Sequence, residues 1–231
     1  EAHSYLIVYL AGITSEGLYT NFKLKSSGGE DVVLINPAGK IVDGVNTVAL
    51  EKNEVMFRNN DGAWYRSKNA TPGYANTLEG LKEYQDSLYE ENSDLEITEI
   101  LPRNKGNFLT KAGIYSGYIE ITNKSAATID LSTYTLGPSL NQPFLYKLPD
   151  VKLKSGESIA IYTSGKNDTI NGEIHASFKL DATNGVVTLS KNNKIVNKVE
   201  YKNLPNGIAL IKVDDTYENN NVLSPGYANN E

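Results

Sequence analysis

The stretch Tyr118-Ile119-Glu120-Ile121-Thr122-Asn123 does most to determine the fold of this chain. Successive side chains of a β-strand point to opposite faces, so Ile119 and Ile121 share one face while Tyr118 and Glu120 share the other. Asn123 and the following lysine are turn residues. The stretch therefore predicts a strand with one apolar face, closed by a turn.

Similar segments recur along the chain. Further predicted strands lie at residues 5–10, 31–35, 158–162, 186–189 and 208–212. Residues rich in Asn, Asp, Gly, Ser and Pro predict turns at 36–39, 60–62, 154–156, 184–185 and 192–193. Short strands at roughly ten-residue spacing are typical of an all-β sandwich. The chain shows no strand–helix alternation, so a parallel α/β fold is not expected.

The chain also contains an internal repeat. Thr71-Pro-Gly-Tyr-Ala-Asn76 returns as Ser224-Pro-Gly-Tyr-Ala-Asn229, and Lys40-Ile-Val42 returns as Lys194-Ile-Val196. Asn21-Phe-Lys-Leu24 corresponds in the same way to Ser177-Phe-Lys-Leu180. The second copy extends far upstream of its Phe178, whereas the first begins shortly before Phe22. The first copy is therefore expected to lack roughly 60 residues at its front.

One segment has a helical pattern. Residues 77–91 place Leu78, Leu81, Tyr84 and Leu88 at helical spacing, with Thr77 as the N-cap. The other residues are mainly charged or polar. The segment predicts a surface linker helix of about three turns between the two copies, and a further interpretation compatible with this is that its apolar stripe fixes the relative orientation of the domains.

The second copy resembles the lamin tail domain, an immunoglobulin-like β-sandwich, over residues 94–230. The motifs that carry the resemblance occur in this order: Leu95-Glu-Ile-Thr-Glu-Ile-Leu-Pro-Arg-Asn104, Tyr118-Ile-Glu-Ile-Thr-Asn123, Ile129-Asp-Leu-Ser-Thr-Tyr-Thr-Leu136, Tyr146-Lys-Leu-Pro-Asp150, Leu153-Lys-Ser-Gly-Glu-Ser158, Ser177-Phe-Lys-Leu180, Lys194-Ile-Val196 and Ser224-Pro-Gly-Tyr-Ala-Asn229. The first copy is similar only to the second half of the family pattern, over residues 5–76. It keeps the Asp61-Gly-x-Trp64 pattern, which becomes Asp214-Asp-Thr-Tyr217 in the second copy.

This resemblance implies one complete and one partial immunoglobulin-like sandwich joined by a short helix. The predicted boundaries are 1–76 for the partial domain, 77–93 for the linker and 94–231 for the complete domain. Residues 71–80 resemble bacterial exported proteins that carry such domains beside a spore-coat-protein-H-type kinase-like domain, and that kinase-like domain is not part of this chain. The resemblance therefore implies an exported protein at the cell or spore surface of a Gram-positive bacterium. It implies no catalytic residues.

Two of the motifs suggest structural roles for single residues. Asp130 is expected to accept hydrogen bonds from nearby backbone N–H groups in an Asx turn, with Ile129 and Leu131 anchoring the corner. The Ser-Pro-Gly-Tyr segment is expected to end the last strand, with Tyr227 packing back on the sandwich.

Composition excludes several classes of function. The formal net charge of −6 and the scattered Lys and Arg residues count against a nucleic-acid partner. The absence of cysteine excludes disulfides, thiolate metal sites and a cysteine nucleophile. The apolar stretch at residues 5–11 is too short to span a bilayer, so no membrane insertion is expected. The chain starts at Glu1 without Met, which suggests a processed piece of a longer protein.

The reactive residue types form no recognisable site. His3 and His175, the two histidines, fall in different copies, which counts against a His-based metal site or triad, and His175 is expected in a solvated loop.

Ser164-Gly-Lys166 lacks the remaining residues of a phosphate loop. Asn60-Asp61 and Asp214-Asp215 offer oxygen ligands for calcium but not the spacing of a dedicated loop. The sequons at Asn69, Asn123 and Asn167 are interpreted as turn residues. No catalytic, cofactor-binding or metal-binding residue is assigned, no cofactor is expected, and the binding residues stay unknown.

The expected function is therefore a non-enzymatic surface module that mediates protein–protein contact or presents a neighbouring catalytic domain. Fifteen tyrosines leave room for an alternative, a module that binds cell-wall or spore polysaccharide. A carboxylate-based hydrolase is a remote third hypothesis, because no particular Asp/Glu pair is selected by the sequence. The truncation of the first copy further predicts that its open half is covered by a homodimer or strand swap, by the 77–91 helix, or by the second copy.

Overall fold

A computed structural model describes residues 4–13, 17–91 and 94–227 of the chain. The chain divides into two compact units, Glu1–Ser87 and Leu88–Glu231. The boundary falls at the end of a helix, which lies inside the first unit. Within the described residues, no helix has the length and apolar character needed to cross a membrane.

The first unit contains two antiparallel hairpins and a helix. Its elements are β1 (Asp31–Ile35), β2 (Ile41–Asn46), β3 (Val55–Arg58), β4 (Trp64–Ser67) and α1 (Leu78–Ser87). Hairpin β1–β2 turns through the predicted segment at 36–39, where the Asn36 side chain accepts hydrogen bonds from the backbone N–H groups of Ala38 and Lys40. A bidentate ion pair joins the Arg58 guanidinium of β3 to the Asp43 carboxylate of β2 at 2.8 Å and links the two hairpins.

The strand predicted at residues 5–10 is wrong. Its pairing is limited to one isolated bridge, between Tyr9 and Tyr19, whose backbone bonds are 2.7 and 2.8 Å long. A strand needs a neighbour that takes up its backbone hydrogen bonds along its whole length. Among the described residues of the first unit, none pairs with this segment beyond that bridge.

Helix α1 is shorter than the predicted 77–91 helix. Thr77 caps it as predicted, because its Oγ1 accepts a hydrogen bond from the Gly80 N–H at 3.0 Å. The helix ends at Ser87 because the next residues form an isolated bridge with Ile195: Leu88 O accepts a hydrogen bond from Ile195 N and Glu90 N donates to Ile195 O. The predicted stripe is also wrong at its first position, since Leu78 is 86 % exposed.

The second unit is a β-sandwich. Its strands are β5 (Leu95–Leu101), β6 (Tyr118–Asn123), β7 (Ile129–Asp130), β8 (Tyr134–Gly137), β9 (Tyr146–Lys147), β10 (Lys152–Leu153), β11 (Ser158–Tyr162), β12 (Asp168–Ile170), β13 (Glu173–His175), β14 (Asn184–Lys191), β15 (Lys194–Lys202), β16 (Ala209–Val213) and β17 (Thr216–Asn220), with a 3-10 turn at Leu131–Thr133. One sheet has the order β12-β13-β11-β6-β5-β16-β17, and the facing sheet has the order β15-β14-β8-β9. The turn predicted at residues 184–185 is displaced. Strand β14 already begins at Asn184, so the chain turns just before that residue.

The core lies between these two sheets. Ile119 and Ile121 point into it, as the alternation predicts, and meet Val187 and Leu189 of the facing sheet in one buried apolar cluster. Tyr118 and Glu120 occupy the other face of the strand and are also fully buried. The seven-stranded sheet is therefore covered on both of its faces at this point.

Two predicted corner residues act as expected. Asp130 accepts hydrogen bonds from the Ser132 N–H at 2.9 Å and from its hydroxyl, and Leu131 beside it is fully buried. Asn123 is fully buried as well: its Nδ2 donates to the carbonyls of Ala127 and Leu153, at 2.7 and 2.8 Å. The side-chain amide of Asn123 thus stabilises a turn, which agrees with the interpretation of this sequon as a turn residue.

A β-bulge in β5 sets the orientation of its two glutamates. Ile97 pairs with Ile121 and Glu99 pairs with Glu120, so Thr98 is an extra residue in the ladder. Strict alternation would place Glu99 on the same face as Ile97. The bulge instead turns Glu99 to the outer face of the sheet and brings Ile100 into the core.

Candidate functional site

The paired strands of the first unit expose apolar side chains on their surface. Val33 and Ile35 of β1 are 46 % and 52 % exposed, and Ile41 and Val42 of β2 are 58 % and 54 % exposed. Other large apolar residues of this unit are exposed too, among them Phe22, Leu34 and Leu6. Scattered exposed apolar residues are ordinary, but a contiguous patch marks an interaction surface.

The positions that correspond by the repeat are buried in the second unit. Lys40-Ile-Val42 and Lys194-Ile-Val196 set the correspondence of Val33 with Val187 and of Ile35 with Leu189. Val187 and Leu189 are fully buried, and Ile195 and Val196 are almost so. Val187, Leu189 and Val196 belong to the apolar core between the two sheets of the second unit.

Helix α1 covers part of the first unit. The Tyr84 ring of the helix lies 6.0 Å from the Tyr74 ring, and Gly80 is buried against the backbone of Ala75. Between the helix and hairpin β3–β4 there is a cavity of about 350 Å³ lined by Phe57, Tyr65 and Leu81 among others. The helix, one of the three elements expected to cover the open half of the first copy, thus covers part of this unit. The β1–β2 side chains stay exposed.

The second unit buries a pair of glutamates on the outer face of its large sheet. Glu99 and Glu120 are register partners on β5 and β6, and both side chains are fully buried. The Tyr118 hydroxyl donates a 2.5 Å hydrogen bond to Glu99 Oε1, and the Thr98 hydroxyl donates a 2.7 Å hydrogen bond to Glu120 Oε1.

The repeated Ser-Pro-Gly-Tyr segment closes over this pair. Ser224 Oγ donates to Glu99 Oε2 at 3.2 Å, and the Gly226 N–H donates to Glu120 Oε2 at 2.9 Å. Tyr227 is 77 % exposed, so the expectation that its ring packs back on the sandwich is wrong. The backbone and the serine hydroxyl attach this segment, because both glutamates need donors once they are shielded from water.

Burial changes the acidity of both glutamates. Removal from water raises the pKa of Glu99 and of Glu120, since burial disfavours the charged carboxylate. The pKa of Glu120 rises to about 7, and the charge of neighbouring Glu99 adds to the rise. Hydrogen bonds from Thr98 and Gly226 act in the opposite direction.

His175 is not in a solvated loop, so that prediction is wrong. It lies on β13, is fully buried, and stacks on Tyr162 with a ring separation of 5.4 Å. The short β13 pairs in parallel with β11, a distant pairing that a single-residue pattern does not predict. Burial lowers the pKa of His175 because the charged imidazolium is disfavoured.

The structure also brings Ser164 and Glu173 to His175, an arrangement that the sequence seemed to exclude. Ser164 Oγ lies 3.0 Å from His175 Nδ1, and Glu173 Oε2 lies 3.8 Å from Nε2. The second distance is longer than a hydrogen bond, so Glu173 does not orient the ring as the acid of a triad does. The group therefore lacks the geometry of an activated nucleophile.

The remaining sequence candidates are not brought together. Among the residues described, no group of three or more His, Asp or Glu side chains is placed to hold a metal ion. Asp61 instead accepts hydrogen bonds from the Ala63 N–H and the Tyr65 hydroxyl. Asp214 lies in the β16–β17 turn with a φ of 50°.

The buried Glu99 was missed from the sequence, although an acid inside the apolar run 95–101 is a signal of a special environment.

One comparison with known proteins finds a similarity in the second unit. No curated protein matches the chain. Residues 90–203 match the family model of the Lamin Tail Domain, a family of non-catalytic immunoglobulin-like domains. The match covers β5 to β15 but not β16 and β17 of the large sheet, and it confirms the immunoglobulin-like β-sandwich predicted for this part. Residues 90–203 of the chain are therefore similar to the Lamin Tail Domain, and the second unit has the immunoglobulin-like fold of that family.

Proposed function

We propose that this chain is a non-catalytic binding and scaffolding module that makes protein–protein contacts through the open strands of its first unit. One observation carries the proposal. Val33, Ile35, Ile41 and Val42 are about half exposed, whereas their counterparts by the repeat are buried, three of them between two sheets. Exposed apolar β-strands gain stability when another apolar sheet covers them.

The partner that we propose for this surface is a second copy of the chain. Each copy carries the same apolar strand pair, so two copies form a self-complementary contact. The experiment is sedimentation velocity over a wide protein concentration range. We expect reversible dimers for the unmodified chain and monomers for a variant with threonine at Val33, Ile35, Ile41 and Val42.

The control replaces Val222, which is 62 % exposed in the second unit, by threonine. This control is expected to dimerise like the unmodified chain. A monomer at every concentration, or equal loss of dimer in the control, contradicts the proposal. All these positions are exposed in the chain, so the substitutions leave the buried core unchanged.

The first unit is, in this proposal, a partial copy of the lamin tail domain in a tandem arrangement. The order of its hairpins supports this, because β1–β2 and β3–β4 follow one another as β14–β15 and β16–β17 do. The resemblance of residues 71–80 to spore-coat-protein-H-type proteins supports display at the surface of a Gram-positive bacterium, beside a catalytic domain. Immunofluorescence on intact cells and spores tests this location, and staining only after lysis contradicts it.

A second candidate function is binding of cell-wall or spore polysaccharide. The observation that favours it is the stacked pair of Tyr9 and Tyr19, whose ring centres are 5.2 Å apart and whose side chains are about half exposed. Exposed aromatic rings contribute apolar area and a polar tip to binding surfaces. A peptidoglycan pull-down that is equal for the unmodified chain and for Tyr9→Ala contradicts this candidate.

A further inference from the structure

One end of the second unit has a basic cleft, which we define by Arg103, Lys105, Lys166 and Lys179. The cleft has a volume of about 550 Å³ and is also lined by the hydroxyl-bearing Ser164, among others. Its four basic residues come from three separate loops: the β5–β6 connection, the loop after β11 and the loop before β14. We propose that this cleft binds a ligand that carries two or more phosphate groups.

The charge of the cleft has one sign. Of the described residues, those that line it include no aspartate or glutamate. None of its four cations forms an ion pair with a carboxylate of the described chain. Four cations held together cost free energy through mutual repulsion, unless an anion from outside compensates them. This local excess is notable in a chain with a net charge of −6.

Three acids that neighbour the lining residues in sequence or structure accept hydrogen bonds from other groups. Asp181 accepts hydrogen bonds from the Thr183 N–H at 2.7 Å and from its hydroxyl, and these contacts lower its pKa. Glu173 accepts a 2.7 Å hydrogen bond from the Lys111 N–H. Asp168 accepts from the Thr169 N–H at 2.8 Å. None of these carboxylates lines the cleft or forms an ion pair with its cations, although the charge of Arg103 adds to the lowering of the Asp181 pKa.

The loop that carries Arg103 and Lys105 is held in place by hydrogen bonds within the second unit. Asn206 brackets Lys105: its Oδ1 accepts from the Lys105 N–H at 2.7 Å and its Nδ2 donates to the Lys105 carbonyl. Arg103 Nη2 donates to the Ala182 carbonyl at 3.1 Å, which fixes the guanidinium. Asn104, almost fully buried, ties the same loop to Ser116 and Phe108. Pre-organised donors reduce the entropy that binding costs.

The number of cations favours phosphate over carboxylate. A phosphate monoester carries about −1.5 to −2 charges at pH 7 and three acceptor oxygens, so two such groups match four cations. Arginine binds these oxygens through a planar fork and lysine binds them as a point charge. Ser164 adds a hydroxyl whose Oγ lies 3.0 Å from His175 Nδ1. A long nucleic acid does not fit the proposal, because the basic residues are confined to one cleft.

The experiment is isothermal titration calorimetry of the full chain with sodium tripolyphosphate, and in a second arm with citrate as a carboxylate of similar charge. We expect saturable binding of one tripolyphosphate and clearly weaker binding of citrate. The double variant Lys166→Gln/Lys179→Gln is expected to weaken tripolyphosphate binding by about tenfold or more, because it removes two charge-assisted contacts.

The matched control is Lys198→Gln/Lys202→Gln, which removes the same charge from exposed positions of β15. We expect its affinity to stay within about twofold of the unmodified chain, since screening at physiological salt weakens distant charges. No binding to the unmodified chain, an equal loss in the control, or equal affinity for citrate overturns the proposal. The dimer measured for the first unit is a separate readout, so the two proposals fail independently.

Discussion

At the scale of single residues, the most unusual feature of this chain is the fully buried pair of Glu99 and Glu120. Buried acids are costly unless donors compensate them. Here a tyrosine, a threonine, a serine and a backbone N–H supply those donors. The alternation of residues 118–123 correctly predicts the shared face of Tyr118 and Glu120. It does not predict that this face is buried, because the cover comes from residues about 100 positions away.

Stability of the second unit is expected to fall as pH rises. The pKa of Glu120 is about 7 in the folded chain, above the ordinary value of 4.5, so the folded state holds its proton more tightly than the unfolded state. Its stabilising contribution is complete below pH 4.5 and is lost as pH rises through 7. We expect the free energy of unfolding in urea to drop by about 2–3 kcal/mol between pH 5 and pH 8.

The variant Glu120→Gln tests the assignment of this effect. A neutral amide still accepts from Gly226 and donates to Thr98, so we expect the variant to lose most of the pH dependence. Glu218→Gln, at an exposed position of β17, is the control and should keep it. An unchanged slope in Glu120→Gln shows that another group titrates.

Asn123 gives a second residue-scale prediction. Replacement by alanine leaves the Leu153 carbonyl without its side-chain donor, and the Ala127 carbonyl keeps only the Ser125 hydroxyl at 3.1 Å. We expect a loss of about 2–4 kcal/mol in the free energy of unfolding, because unsatisfied buried groups bear their full desolvation cost. Asn219→Ala, at an exposed position, should cost less than about 0.5 kcal/mol. Equal effects of the two variants contradict the role assigned to Asn123.

At the scale of secondary-structure elements, sequence patterns predict the interior of each element better than its ends. The strands at 31–35, 118–122 and 158–162 and the Thr77 cap all follow from local patterns. The end of α1, the bulge at Thr98 and the short β13 do not. Each depends on backbone pairing between distant parts of the chain, which overrides local preference.

Helix α1 provides a prediction in which packing reverses a helix preference. Alanine normally stabilises a helix interior by about 1 kcal/mol relative to glycine. A Cβ at Gly80, however, would lie 2.1 Å from the Ala75 carbonyl oxygen. We therefore expect Gly80→Ala to lower the melting temperature of the first unit, measured by circular dichroism. Glu83→Ala on the exposed face should leave it nearly unchanged, and a stabilised Gly80→Ala variant contradicts this packing.

At the scale of the whole molecule, the two units differ in how well they bury their apolar residues. The second unit has a continuous core between two sheets, whereas the first exposes both strands of β1–β2. The repeat and the family resemblance predict this contrast. The basic cleft could not be predicted, because its cations are up to 76 positions apart in sequence and meet only through loop packing.

Amide hydrogen exchange followed by mass spectrometry tests the contrast between the units. We expect residues 31–46 to exchange far faster than residues 118–123 and 184–191, because exposed hairpins open locally at low cost. Dilution of the chain should accelerate exchange at 31–46 if a second copy covers these strands. Equal protection of the two units at low concentration contradicts the difference in burial.

The hydroxyls beside Glu120 form a chain across three strands. Thr98 Oγ1 lies 2.8 Å from Thr122 Oγ1, which lies 2.8 Å from Ser158 Oγ. When Glu120 is ionised it only accepts, so Thr98 donates toward it; a protonated Glu120 donates in turn and lets the row reverse. One proton at Glu120 thus sets the dipole orientation of a row of hydroxyls that runs from Thr98 on β5 to Ser158 on β11, two strand spacings or about 10 Å apart.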